Sequence, residues 1–537
     1  MAAGKRGTSH SGLGELYWDR LDNAAKLVPA VSDTRGTNVF RVSAVLLDEV
    51  DPELLQSALE RALKILPAFA VKLHHGLFWY YLDVNRETPR VRKEYLYPCS
   101  PIWRTQERGF LFRVTYYHRR VNFEVFHALT DGMGALQFLI LLLLCYFNLS
   151  SPGEPSSEYI RGWCEEIARD YDEDSFAKHM PSGIDKSKSI PEPDAYHIQG
   201  YKYDDTRLNV LCLLLPVDRM LELAHETGST LSEYLASLLI YSIYESSYRR
   251  SRLKKPIAVS LPVNLRQMFT STTMRNFFGH INISITPTDD MSFDDILALV
   301  KERFKASLNR ENFERQIAQN VAIEQITAVK LVPIWLKDFI MRRFFAKAEK
   351  KYTITFSNLG AVKLPDAISS RVRRFEMLLG ASRTHPKKVS VCSYKNELAL
   401  SFSSTIDDNQ LERCFVKFLV DRGVNISISS NETPEPHKPP KQKPRSEKRE
   451  RRKSKTDNEQ KPISDAEQKP ISDAEQKPIS DAEQKSISDA EQKPISDAEQ
   501  KLIPDAEQKL IPDVEQKSCP DRENVNPPSD DRGKGET

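Results

Sequence analysis

Seven cysteines in 537 residues, at positions 99, 145, 164, 212, 392, 414 and 519, include no Cys-x-x-Cys pair. Their scatter and odd number give no support to a zinc site or a disulfide framework, and a reducing, cytoplasmic compartment is the simplest expectation. Charge of one sign is missing too. The net charge is +2 over 77 Lys and Arg and 75 Asp and Glu, so the whole chain carries no argument for nucleic acid as a partner. The first residues, Met-Ala-Ala-Gly-Lys-Arg-Gly-Thr-Ser-His-Ser-Gly, contain no apolar core of the secretory kind, and no leader is expected. The longest apolar run, Leu136 to Phe147, is broken only by Gln137. It falls short of the roughly twenty residues that a membrane span needs and reads as a buried helix. Several catalytic signatures are absent as well. There is no Gly-x-Ser-x-Gly elbow, no Walker loop, no Gly-x-Gly-x-x-Gly after a strand and no His-Glu-x-x-His.

What is present is an ordinary soluble composition, 40% hydrophobic and 28% charged, diluted by a polar tail. From Glu459 an octapeptide, Glu-Gln-Lys-Pro-Ile-Ser-Asp-Ala, repeats through eight copies to Arg522. A proline in most copies denies it a continuous helix, and one aliphatic residue per copy cannot build a core, so residues 459–537 read as a disordered tail. Before it, residues 431–458 form a basic linker containing Lys448-Arg449-Glu450-Arg451-Arg452-Lys453. Such a run reads first as solvated chain, with an anionic-surface contact or a targeting signal as the other readings.

Strand and helix patterns alternate twice in the remainder. Strands are expected at Val39–Leu47, Ala68–Leu73, Leu77–Val84, Phe110–His118 and Val121–Phe126, with a helix opened by Asp51-Pro52-Glu53. A Ser-, Pro-, Asp- and Lys-rich stretch, 151–205, reads as a connector holding one helix near 159–171. Beyond it, strands are expected near 210–215, 257–261, 281–285, 352–356, 373–379, 388–394 and 397–403. Helices fall at 216–226, 230–248, 292–308, across 311–350 and at 408–422. The expectation is an α/β chain of two comparable lobes, 1–150 and 206–430, with mixed sheets and helices.

The stretch Phe-Glu-Val-Phe-His-Ala-Leu-Thr-Asp-Gly-Met-Gly, residues 123–134, sets a titratable ring at the end of a strand. Phe123, Val125 and His127 share a parity, so the histidine continues one face of its strand, and Asp131-Gly132 supplies a turn. An imidazole titrating near pH ~6.5 can accept a proton from a hydroxyl, amine or thiol. On the residues alone, a satisfied core histidine is the leading reading and a general base the alternative. His74-His75-Gly76, between two alternating strands, reads as a hairpin turn.

His127-Ala-Leu-Thr-Asp131-Gly132 resembles the His-x-x-x-Asp-Gly signature of the CoA-dependent acyltransferase superfamily, which includes chloramphenicol acetyltransferase, alcohol acetyltransferases, wax ester synthases and condensation domains. Five further segments support the resemblance: Asp22-Asn-Ala-Ala-Lys26, Thr230-Leu-Ser-Glu-Tyr-Leu-Ala-Ser-Leu238, Leu261-Pro-Val-Asn-Leu-Arg266, Asn276-Phe-Phe-Gly279 and Thr355-Phe-Ser-Asn-Leu-Gly360. Their order and spacing match over roughly residues 15 to 425. Phe126 stands where many members carry a first histidine, which weakens the likeness to peptide-forming condensation domains.

The resemblance implies two lobes with a tunnel between them and His127 midway along it. His127 would be the general base that deprotonates an acceptor for direct attack on a thioester, with no acyl-enzyme. Asp131 and Arg266 would pair to brace the loop, Gly132 would make room for the donor's arm, and Ser357 and Asn358 would line the site. It implies no metal and no tightly bound cofactor, a CoA thioester as co-substrate and an alcohol acceptor. A carrier-protein thioester with an amine acceptor, and a non-catalytic binding module of the same fold, are the alternatives. The basic, Phe-bearing segment around Lys337, Arg342, Arg343 and Lys347 reads as a solvated amphipathic face, with contact to a lipid surface or a phosphorylated donor as the other readings.

Overall fold

Apolar residues at every second or every third and fourth position become strands and helices close to where that periodicity places them, in a computed structural model of the chain. The structure describes residues 18–432 except 104–108, 151–159, 161, 163–172, 182–191, 204–206, 249–254, 326–330 and 381. The octapeptide tail, the linker beyond Glu432, most of the connector and nearly all of the helix expected at 159–171 lie outside the described residues.

The first half of the chain contributes β1 (Trp18–Arg20), β2 (Val39–Leu46), α1 (Pro52–Ile65), β3 (Val71–His75), β4 (Tyr80–Val84), β5 (Arg92–Lys93), β6 (Phe112–Tyr117), β7 (Arg120–Phe126) and α2 (Gly132–Ser150). Asp51 caps α1, its side chain accepting from Glu53 N and Leu54 N. His75 ends β3, and Gly76 N donates to Trp79 O at 2.8 Å, closing the expected hairpin. α2 is apolar all round because it is buried all round. Every residue from Phe138 to Phe147 lies in the first core, where burial of each large side chain stabilises by roughly 1.5–3 kcal/mol. By length and composition alone α2 could cross a membrane; its position inside the fold accounts for its hydrophobicity.

The second half begins with β8 (Asn209–Pro216), α3 (Val217–Glu226), α4 (Leu231–Ile243), β9 (Ile257–Asn264) and β10 (Phe278–Ile285). It continues with α5 (Phe293–Ser307), α6 (Arg310–Gln325), α7 (Ile334–Glu349), β11 (Ile354–Ala361), β12 (Val372–Leu379), β13 (Lys387–Tyr394), β14 (Glu397–Ser404), α8 (Gln410–Val420) and β15 (Ser427–Ser430). Thr230 and Glu233 form a reciprocal capping box at the start of α4, which ends at Ile243 and passes into a π-helical turn through Tyr248.

Three sheets result among the described residues. β1, β4 and β3 form a small antiparallel one; a five-stranded sheet runs β12-β2-β7-β6-β5; a seven-stranded sheet runs β10-β9-β11-β13-β14-β8-β15. One strand crosses between the halves. β12 comes from the second half of the sequence but pairs with β2, Phe375 opposite Ala44 and Met377 opposite Val42. It also lies against the seven-stranded sheet, where Ser390 Oγ donates to Met377 O at 2.6 Å and Ser403 Oγ to Leu379 O at 2.7 Å. The first core, between α1, α2 and the five-stranded sheet, therefore runs on to one face of the large sheet. The second core fills that sheet's other face beneath α4, α5 and α8.

α7 keeps Trp335, Phe339 and Phe344 exposed, with Arg343 stacked over Phe339 at 5.2 Å. Two of its cations are not simply solvated. Lys337 Nζ donates to Phe78 O at 2.7 Å and Arg342 Nε to Ala30 O at 2.5 Å, so their stems lie along the first lobe.

Candidate active site

β7 hands the chain to His127 at the end of the five-stranded sheet, and His127 N donates to Asn38 O at 2.9 Å, holding the strand end against β2. The imidazole, half-buried, lies between Phe40 of β2 at 5.0 Å and Phe278 of β10 at 5.5 Å. Those two rings belong to different lobes, so the histidine stands on the seam. Burial pushes its pKa below the ordinary histidine value, against the opposing pull of Asp131, and it is neutral at pH 7. Nδ1 lies 2.9 Å from Asn276 Oδ1. The same asparagine donates through Nδ2 to Asp22 Oδ2 at 3.0 Å, and its backbone N–H reaches Asp22 Oδ2 at 3.3 Å.

Asp131 turns the other way. Its side chain accepts from Gly134 N (3.1 Å) in the first turn of α2, from Phe277 N (2.9 Å) and from Arg266 Nη1 (2.9 Å) and Nη2 (3.0 Å). Arg266 spends its remaining donors on Thr273 O, Arg275 O and Asn264 Oδ1. All five guanidinium N–H groups are used, in a fork geometry suited to a carboxylate. The pair is nearly buried, and with the Thr130 hydroxyl on Met274 O it ties the loop of the first lobe to the 264–277 loop of the second.

Of the two glycines behind Asp131, the second is the more confined. A Cβ on Gly134 would stand 2.0 Å from Thr130 Oγ1 and 2.2 Å from Met274 O, whereas one on Gly132 would meet only the flexible ends of Leu359 at 3.3 Å and Met377 at 3.4 Å. Leu359 thereby brings β11 against the motif loop. Ser357 is buried beside Ser390 in the parallel β11–β13 register. Asn358 is exposed, bonding Ser232 Oγ at 3.0 Å in the first turn of α4 and accepting from Gly360 N at 2.8 Å. Neither Ser357 nor Asn358 bonds to His127. The structure thus gathers His127, Asp131, Gly132 and Arg266 into one loop cluster and sets Ser357 and Asn358 beside it, with Asn358 stabilising its own turn.

Four neighbours of His127 escaped the sequence reading: Asp22, Asn276, His280 and Lys388. Lys388 on β13 is half-buried, its pKa lowered by burial, and it acts electrostatically on His127. His280, two residues after Phe278 on β10, is exposed, with its ring 5.2 Å from that of Phe278. Only Asp22 and Asn276 lay in segments already singled out. Nothing in their spacing, 254 residues apart, links them to each other or to the histidine.

Cys99, buried beside Glu124 in the first lobe, is no nucleophile. Burial and Glu124 push Cys99 far above the usual thiol range, so it stays protonated. Among the described residues no group of three or more His, Cys, Asp and Glu could hold a metal ion.

As a fold, 75% of the chain superposes on 94% of a mutant starter condensation domain of rhizomide synthetase RzmA, solved in complex with C8-CoA, with a TM-score of 0.50 at 11% identity. The chain has the fold of that condensation domain. Two other solved structures of that fold are similar at lower scores. The trichothecene 15-O-acetyltransferase TRI3 of Fusarium sporotrichioides has a TM-score of 0.49 at 11% identity, covering 75% of this chain and 94% of that one. TRI101 of Fusarium graminearum, complexed with coenzyme A and T-2 mycotoxin, has a TM-score of 0.48 at 13% identity, covering 76% and 99%. No family model and no curated protein matches the sequence. In this fold the loop from His127 to Gly134 meets the second lobe through Arg266 and Phe277, which fixes where the histidine sits relative to both lobes.

Proposed function

We propose that this protein is an acyltransferase that moves an acyl group from a CoA thioester to an alcohol, with His127 as general base. The observation that carries the reading is a histidine on the lobe seam, in a loop whose own carboxylate, Asp131, is wholly engaged by Arg266 and backbone N–H groups. Such an aspartate braces; it does not relay a proton.

Chemically, Nε2 takes the acceptor's hydroxyl proton as the oxygen attacks the thioester carbonyl carbon. The tetrahedral oxyanion then collapses, the C–S bond breaks, and the departing sulfur receives the proton from His127. Atoms and charge balance without an acyl-enzyme, in keeping with the protonated, buried Cys99. On this reading Ser357 and Lys388, both from the second lobe, would meet the reacting ester or an anionic part of the donor. The C8-CoA complex of the rhizomide domain supports CoA as the form of the donor.

The reading is tested by thiol release from acetyl-CoA and octanoyl-CoA with pooled alcohols and, separately, pooled amines. Acceptor-dependent release with alcohols is the expected result. Release with amines alone changes the acceptor class. No release with either pool, followed by activity on a carrier-protein thioester, moves the donor; inactivity throughout turns the assignment toward a binding module.

A further inference from the structure

The second ring nitrogen of His127 can act as a base only if the proton of the neutral ring sits on Nδ1, and three residues from separate parts of the chain bear on that choice. Asp22 is buried and offers only acceptor atoms when ionised. Its Oδ1 takes Ala25 N at 2.7 Å, and its Oδ2 takes the backbone and side-chain N–H groups of Asn276 at 3.3 and 3.0 Å. Ionised above about pH 7, the carboxylate facing the amide fixes its orientation, with Nδ2 toward Asp22 and Oδ1 toward the histidine. Oδ1 is an acceptor, so the ring atom 2.9 Å away must be N–H. The residue's own carbonyl is a second acceptor near the ring.

We propose that Asp22 and Asn276 are positioning residues that, through the chain Asp22···Asn276···His127, hold the imidazole in its Nδ1–H tautomer and keep Nε2 as the basic nitrogen. The purpose of that arrangement rests on the acyl-transfer reading; the arrangement itself does not. Asp22 reaches the site from the segment before β2, Asn276 from the loop before β10 and His127 from β7, so both lobes must be docked for the relay to exist. The polarity is directional. An amide in place of Asp22 has one oxygen for two faces; with that oxygen kept on Ala25 N, its NH₂ confronts the N–H groups of Asn276, and the Asn276 side chain reverses to meet it. It would then present Nδ2 to the ring and move the ring proton to Nε2.

The test is a long-range ¹H–¹⁵N correlation spectrum of the full chain, deuterated and labelled with [¹⁵N]histidine, at pH 8. His127 is assigned by the signal set lost in His127→Gln. In the wild type the expected pattern is a pyrrole-type Nδ1 and a pyridine-type Nε2. Asp22→Asn and Asn276→Ala should each lose the pyridine-type Nε2 signal. The double exchange Asp22→Asn/Asn276→Asp again points an acceptor at Nδ1 and should restore it. The restoring variant guards against reading misfolding as loss of control. A wild type protonated on Nε2 overturns the proposal. So do single variants that keep the wild-type pattern, which would leave the ring's own carbonyl sufficient, and a double exchange that fails to restore while folded. The spectrum needs no turnover, so a positive result beside an inactive thiol-release assay would remove the acyl-transfer reading and leave the relay standing.

Discussion

Asp131 has no acceptor capacity to spare, and its energetics follow from that. Its side chain meets two backbone N–H groups and both ends of the Arg266 fork with the pair almost out of water, so removing either partner strands a buried charge. Asp131→Ala and Arg266→Ala should each cost about 3–5 kcal/mol in urea unfolding, and the double variant clearly less than the sum; full additivity would mean that the two side chains do not interact. Asp22 supplies a second residue-scale test. Burial raises it to about 7, although its three N–H partners pull it down. The folded chain therefore keeps a proton that the unfolded chain releases near pH ~3.9. Stability from this group falls as pH rises from about 4 through 7 and is level above. The change in unfolding free energy between pH 5 and pH 8 should be smaller in Asp22→Asn than in the wild type; an equal change would show that Asp22 ionises normally. His127, Asp131 and Arg266 were legible because a signature and a matched strand-end motif point to them. Asn276 was readable only as a strand-end residue. Its contact with His127 depends on a lobe–lobe approach that no local periodicity records.

Within elements, the glycines of the motif divide by what surrounds them. Gly134 opens α2 against the backbone of Met274, and no side-chain movement could make way for a methyl group there. Gly132 faces the ends of Leu359 and Met377, which can turn aside. Gly134→Ala should destabilise the fold by at least ~2 kcal/mol while Gly132→Ala costs under about 1 kcal/mol, read as thermal and urea midpoints; equal effects would mean that the loop relaxes as a whole. The element boundaries were largely visible in the sequence. α1 carries its Asp cap and proline, β7 alternates, and the apolar run 136–147 is the buried centre of α2. The pairing of β12 was not visible. Its alternating residues specify a strand with two covered faces, and strand neighbours are chosen by tertiary packing, here β2 on one edge with the large sheet beneath. β15 was missed for the opposite reason, being short, polar and exposed along its length.

At the scale of the molecule, β15 is the last of the described strands. It pairs with β8 at the rim of the seven-stranded sheet, and Asn431 adds bonds to Val210 N at 2.8 Å and Leu208 O at 3.0 Å. A chain ending at Glu432 should therefore keep the melting temperature and thiol-release activity of the full protein. One ending at Gly423 uncovers the β8 edge and should melt several degrees lower, about what a loss of 1–2 kcal/mol produces. Equal melting of the two would show that β15 contributes nothing. The same docking of halves brings His127 to the seam, and on that placement the functional account depends. The most direct test is the rate of acceptor-dependent CoA thiol release by the wild type and by His127→Ala, with the melting temperatures of both in hand. The account predicts a loss of at least roughly 10²-fold with the fold intact. A folded His127→Ala that turns over at the wild-type rate would contradict it.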